Sequence, residues 1–433
     1  MHPKLRQTTL SAAMALTLLG GAGAAYAVVN VQCPCDNNGD GDCVDADETP
    51  IPGVVCMHLT AGDGFANMSD GNPLYTFGFA DKTGVAPDEA IAEGILAARW
   101  PGSTIELEED DEFYLALTNV GTVIRPDLFD PHTVHWHGFP NAATVFDGVP
   151  EVSIAINMGS TLTYYYNVVE PGTYMYHCHV EATEHMEMGM LANLYVHPKQ
   201  DRLGCFDPVT EVPTGACPQA TRTGGTDPSA PTGYVYNDGD GTTAWDVEKA
   251  LQVSSFDVNF HDASLFVQPL PFALLESNYP QINGRGYPDT VLGNLEMGPP
   301  VDDADGKVTG NPGEILNNGE VAQDLGSLIS VNQGDRLLLR LSNVSVDRFF
   351  TITAMGLKMK VVGTGARLMR GIGGDNIYEE VASFNFGGGE VKDVIIDTSD
   401  VAPGTYFLYS AELHQMSNLT ELDGGMITEI VVN

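Results

Sequence analysis

The chain has 433 residues, with 58 Asp and Glu against 19 Lys and Arg and a formal charge of −39. That balance excludes nucleic acid as a partner, because phosphate binding rests on clustered cations that this sequence lacks. Only 18% of residues are charged and 43% are hydrophobic, with 48 Gly and 26 Pro, so the chain reads as globular and turn-rich, not as a disordered acidic tail.

From the N-terminus, Lys4 and Arg6 precede an apolar run from Leu10 to Leu19 and small residues ending in Ala25-Tyr26-Ala27. This is the pattern of a secretory signal over residues 1–27 and predicts an exported protein, periplasmic or secreted. No later segment approaches the ~18 apolar residues of a membrane span. An exported chain meets an oxidising compartment, so its seven cysteines should pair and leave one over. Cys33, Cys35, Cys43 and Cys56 suit two bridges, of open connectivity, in a Cys- and Asp-rich segment spanning 28–74. Cys205 and Cys217 bracket a loop and suit a third, which leaves Cys178. Asp36, Asn38, Asp40, Gly41, Asp42 and Asp47 are spaced like a calcium loop, with oxygen ligands alternating around a glycine turn. The alternative is a solvated acidic turn stapled by disulfides.

Beyond this segment Ser103 to Val120, Ser160 to Val168 and Gly172 to Tyr176 alternate apolar and polar residues, the pattern of short strands in a sandwich or barrel. The pattern recurs. Leu117-Thr118-Asn119-Val120 returns as Leu341-Ser342-Asn343-Val344, and Pro171-Gly172-Thr173-Tyr174 as Pro403-Gly404-Thr405-Tyr406. The offsets, 341 − 117 = 224 and 403 − 171 = 232, indicate one duplicated domain. The predicted boundaries are a first domain at 75–203, a linker or long loop at 204–250 and a second domain at 251–433.

Six of the 11 histidines fall between positions 132 and 185, around the leftover cysteine. Side chains alternate along a strand, so His177 and His179 share one face while Cys178 takes the other, and His135 and His137 likewise share a face. Two sites follow. Cys178 with His132, His185 and Met190 is the ligand set of a blue copper centre: two imidazoles and a thiolate with a weak axial thioether. The soft thiolate stabilises Cu(I) and imidazole accommodates both oxidation states, which suits one-electron transfer. Zinc competes, but it favours four strong ligands and leaves the methionine unexplained. His135, His137, His177 and His179 form a nitrogen-only second site, joined to the first through the backbone at Cys178. His197 receives no role.

At these residues the chain resembles the multicopper oxidase superfamily, in the two-domain form that includes small laccases and is related to copper nitrite reductases. The resemblance covers nearly all of residues 75 to 433 and rests on His135-Trp136-His137-Gly138, Asp147-Gly148-Val149-Pro150 and the run Pro171 to His179. It implies an all-β chain of two tandem cupredoxin-like Greek-key β-sandwich domains, a type 1 copper that accepts substrate electrons, and a three-copper cluster held by paired histidines of two domains, often across a homotrimer interface. His135, His137, His177 and His179 match the half supplied by one domain, a partial type 2/type 3 site.

Aligned by the repeats, the other half is missing. His135 to Gly138 fall on Thr353, Ala354, Met355 and Gly356, and His177, Cys178 and His179 on Tyr409, Ser410 and Ala411. Met426 echoes Met190, and His414 is offset from the motif. The sequence therefore leaves open a laccase-like oxidase of small substrates with oxygen as acceptor, a pure electron carrier, and a copper-sequestering protein. The negative charge favours a cationic redox protein or small reductant as partner, through steering.

Overall fold

The computed structural model describes residues 31–139, 143–207, 231–266, 269–294 and 316–433, with positions 210, 212, 214 and 217 and the strand pair at 301–302 and 308–309. The expected signal segment, 1–27, lies outside the described residues. The first half is built on strands β1 (Val54–Asn67), β2 (Pro73–Asp81), β3 (Ile105–Glu108), β4 (Glu112–Gly121), β5 (His135–His137), β6 (Thr161–Asn167), β7 (Gly172–His177) and β8 (Leu191–His197). They form two four-stranded sheets, ordered β2-β1-β4-β6 and β3-β8-β7-β5.

β1 falls in the segment 28–74, ahead of the boundary expected at residue 75, yet it is an interior strand of the first sheet, antiparallel to β2 and parallel to β4. From His58 to Gly64 every residue is buried, so both faces are covered and no apolar alternation marks the strand in the sequence. Its buried polar groups find local partners. His58 Nε2 lies 2.7 Å from Thr118 Oγ1, and Tyr75 OH donates to Asp63 Oδ2 at 2.9 Å. The disulfide Cys33–Cys56 ties the N-terminal segment to β1, Cys35–Cys43 closes a loop within that segment, and Cys205–Cys217 closes the loop after the first domain. In the Asp-rich loop, Asp36 accepts hydrogen bonds from the Gly39 and Gly41 amides, the latter at 3.0 Å.

The second half repeats this topology. Val247–Phe256 pairs in parallel with Arg336–Asn343, as β1 does with β4, and Ile329–Val331 pairs in parallel with Ile427–Val432, as β3 does with β8. The two sheets enclose an apolar core that includes Leu251, Val253, Leu337, Leu339, Leu341, Ile352, Val394, Leu408 and Ile430. Burying each such side chain contributes about 1.5–3 kcal/mol. The chain is thus all-β, with only short helices among the described residues.

The two domains are joined by an apolar cluster containing Trp100, Met175, Leu191, Phe256, Tyr279, Val344 and Val391. A buried polar network lies beside it. Thr173 on β7 donates to the Asp393 carboxylate, Tyr236 OH donates to the same group at 2.5 Å, and Arg340 Nη1 donates to Thr173 Oγ1 at 3.2 Å while Nε reaches Glu248. None of the described helices is long and apolar enough to cross a membrane.

Candidate metal centres

Local packing sets the histidines before any metal does. In β5 the side chains alternate, and Trp136 points inward, buried and stacked on Tyr166 with ring centroids 3.8 Å apart and an interplanar angle of 11°. His135 and His137 are thereby turned to the opposite face. β5 pairs with β7 so that His135 lies opposite His177. One ligand nitrogen from each of His135, His137 and His177 can be chosen so that all lie within 4.8 Å of one another. His179, just past the end of β7, has its ring 5.1 Å from His135 and 5.6 Å from His177.

Two of the rings are oriented by backbone carbonyls, and His137 Nδ1 lies 3.3 Å from His177 Nε2. His135 Nδ1 is 2.5 Å from Asp147 O, and His177 Nδ1 is 2.9 Å from Cys178 O, which leaves Nε2 of each ring as the nitrogen not held by the backbone. Asp147 reaches His135 because Gly148 has φ +81° and packs against β5: a Cβ there would stand 2.2 Å from Val134 O. Burial lowers the imidazole pKa of His135 and His137, and lowers His177 to about 3, so these rings are neutral at pH 7 and present lone pairs.

Cys178 is fully buried, and it is the one free cysteine among the described residues. Its Sγ lies 3.2 Å from His185 Nδ1 and 3.9 Å from His132 Nδ1. The Thr133 amide donates to the sulfur at 3.5 Å. Burial alone would push the thiol up, but His185 and His132 overcome it and hold the group well below its ordinary range. His132 sits where a bridge to Ile156 fixes the loop, and His185 lies in the helix Ala182–Glu187 with Asp130 Oδ2 3.8 Å from its Nε2. That helix is anchored to the second domain, since His261 Nε2 lies 3.0 Å from Glu187 O. Met190 is buried, and its backbone closes the site: Cys178 N donates to Met190 O at 3.0 Å, and Met190 N to His185 O at 2.8 Å.

The structure therefore brings together His132, Cys178 and His185 with the Met190 backbone beside them, and separately the four remaining histidines. The donor sets fit copper: a soft thiolate with two imidazoles in a dry pocket, and an all-imidazole group. Sequence reading missed Asp130, Thr133 and His261 as supporting groups: the first two flank His132 but act across the fold on His185 and Cys178, and His261 comes from the second domain. His197 is no ligand to either set; its Nε2 pairs with Glu106 Oε1 at 2.8 Å.

In the second domain Thr353 lies opposite Tyr409 where His135 lies opposite His177, so the strand register reproduces the alignment by repeats. Ser410 N donates to Met426 O at 3.2 Å and Met426 N to Gln415 O at 2.9 Å, as Cys178 and Met190 do in the first. Ser410 and Gln415 thus stand for Cys178 and His185. His414 is exposed and lines a neighbouring cavity with Glu276 and Ser277, which holds none of the four histidines and meets their cavity at Arg348.

The four-histidine cavity, about 480 Å³, is closed on its other side by the second domain of the same chain, through Ser345, Asp347, Arg348, Phe349, Gly388 and Gly389.

Comparison with known proteins agrees with this architecture. Residues 85–201 and 283–433 each match a family model described as multicopper oxidase. Copper resistance protein A of Pseudomonas syringae pv. tomato is 26% identical over 308 residues, 69% of this chain and 41% of that protein. Laccase-1 of Emericella nidulans is 29% identical over 140 residues, 32% of this chain and 21% of the relative. The matched stretches thus span well under half the length of these curated relatives. Among solved structures, the blue copper oxidase from Nitrosomonas europaea aligns over 87% of this chain and 85% of its own at 21% identity and a TM-score of 0.56. A copper nitrite reductase from the same organism aligns over 88% and 93% at 13% identity and a TM-score of 0.51. The fold, the duplicated domains and these matches place the chain in the multicopper oxidase family, as a two-domain member with copper as its cofactor.

Proposed function

We propose that the chain is an exported copper redox protein in which His132, Cys178, His185 and Met190 form a type 1 site for one-electron transfer, and His135, His137, His177 and His179 a second copper site. The observation that carries this reading is the convergence of Cys178 Sγ with His185 Nδ1 at 3.2 Å and His132 Nδ1 at 3.9 Å in a fully buried pocket. Copper, when bound, supplies one-electron chemistry between two oxidation states. The protein's part is geometric. Trp136 and Tyr166 hold β5, the helix Ala182–Glu187 holds His185, and the Thr133 amide supports the charge on sulfur. Cys178 is bonded directly to His177 and His179, so the two ligand sets are covalently continuous.

With both sites loaded, the activity is oxidation of small reductants with oxygen as acceptor; the acid surplus suits a cationic reductant or basic redox protein. A second reading, an electron carrier without oxidase turnover, is favoured by the second domain, which presents no histidine to the four-histidine cavity. A homotrimer in which neighbouring subunits meet at this site is compatible with either reading.

The test is copper content per chain with visible absorption and electron paramagnetic resonance on the same copper-loaded sample, in the natural protein and in Cys178→Ser. Loss of intense visible absorption in the variant is expected; its persistence would remove Cys178 from the site. One copper with only a type 1 signal selects the carrier, and further copper at the histidines selects the oxidase.

A further inference from the structure

The second domain closes the four-histidine cavity with a different chemistry from the first. Of the side chains lining that cavity, the charged ones are Asp347 and Arg348, both from the segment after strand Arg336–Asn343. Asp347 is occupied. Its carboxylate accepts from Ser277 Oγ at 2.5 Å, from the Ser277 amide at 3.2 Å and from Ser345 Oγ at 3.3 Å. Arg348 stands between this cavity and the neighbouring one lined by Glu276, Ser277 and His414: Nη2 donates to Ser277 O at 3.2 Å and Nε lies 3.5 Å from Asp347 Oδ2. Its Nη1 has no hydrogen-bond partner among the described residues.

The surroundings sharpen the contrast. The chain carries 58 acids against 19 bases, yet no carboxylate other than Asp347 lines this cavity. The floor is imidazole, and Gly389 lets the second domain come close: a Cβ there would lie 3.2 Å from His137 Nε2. Where a matching domain would add ligand nitrogens, this one adds a guanidinium with a donor to spare, which recognises an anion through charge-assisted hydrogen bonds.

We propose that Arg348 is an anion-recognition residue over the four-histidine site, so that a small inorganic anion binds between that guanidinium and the centre held by His135, His137, His177 and His179. This inference rests on the second copper site of the proposed function. It assigns the second domain a part in ligand selection at a site to which it gives no metal ligand.

The probe is sodium azide, titrated into the copper-loaded protein at fixed ionic strength, read by the copper–azide charge-transfer band and by the resonance signal of the non-type 1 copper. Copper content is measured on each sample. Arg348→Gln is expected to weaken azide binding about tenfold, the loss of one charge-assisted hydrogen bond, with copper content and the type 1 absorption unchanged. Arg348→Lys keeps the charge and should bind within a few-fold of the natural protein, and it serves as the folded control. Equal azide affinity in the natural protein and Arg348→Gln, or no azide binding to a fully loaded natural protein, overturns the role of Arg348 and leaves the metal site standing. A natural protein with no copper at the four histidines overturns the metal site itself, and this inference with it.

Discussion

Ser410 Oγ donates a 2.5 Å hydrogen bond to Gln415 Oε1 in the second domain, at the place where Cys178 and His185 approach to 3.2 Å in the first. Ser410 is fully buried and Gln415 nearly so. The second domain keeps the backbone of a metal pocket and fills it with a neutral pair, so this position contributes stability and no copper. Ser410→Ala leaves the Gln415 oxygen without that donor in a dry site, at a cost of about 1–3 kcal/mol. Urea unfolding should show that loss, and metal analysis should show the copper content of the natural protein.

The turn at Gly148 ties geometry to metal retention. Gly148→Ala places a Cβ against Val134 O in a backbone region that L side chains rarely adopt, so the loop must shift and draw Asp147 O away from His135 Nδ1. The expected result is loss of copper at the four histidines with the Cys178 absorption retained, checked by metal content and visible spectra together. Loss of both signals at once would mean that the turn supports the whole domain.

His197 gives a pH signature away from the metal ligands. Its imidazole is buried, which alone would lower its pKa, but Asp201, Glu106 and Glu248 face it and raise it to about 9 against the opposing Arg340. A folded-state value above the unfolded 6.5 means that the stabilisation is complete below pH 6.5 and is lost as pH rises through about 9. On the order of 3 kcal/mol is at stake. The stability gap between the natural protein and His197→Gln should therefore be widest below pH 6.5 and close by about pH 9, measured by denaturant melts across that range.

Arg340 has no exposed side-chain surface and faces two carboxylates, Glu248 and Asp393. Arg340→Met removes the buried cation, leaving Asp393 with its Thr173 and Tyr236 hydrogen bonds alone and Glu248 facing only His197, a change that costs about 3–5 kcal/mol. Thermal unfolding should shift down in a single transition. Two separated transitions would show that the domains unfold independently.

Much of the site was legible in the sequence. A period-two arrangement of His177, Cys178 and His179, and of His135, Trp136 and His137, fixes which side chains can share a face, and the cysteine left over from the expected pairing singles out Cys178. The structure groups those residues in two sets. The repeats Leu117 to Val120 and Leu341 to Val344 mark equivalent strands because each lies at the end of an interior strand, Glu112–Gly121 and Arg336–Asn343. β1 was not legible. Strand signals depend on one wet face, and its residues from His58 to Gly64 have none. Arg348 was also hidden, since its place above the four histidines comes from domain packing, which no local pattern records.

The stack of Trp136 on Tyr166 has a consequence for how the protein fails. Trp136 belongs to the hydrophobic interior, while its two chain neighbours belong to the four-histidine group, so one strand carries both. A core that loosens releases Trp136 and frees His135 and His137 in the same motion. Heating should therefore bleach copper from the histidines and melt the first domain at one temperature, with no apo but folded state populated between them.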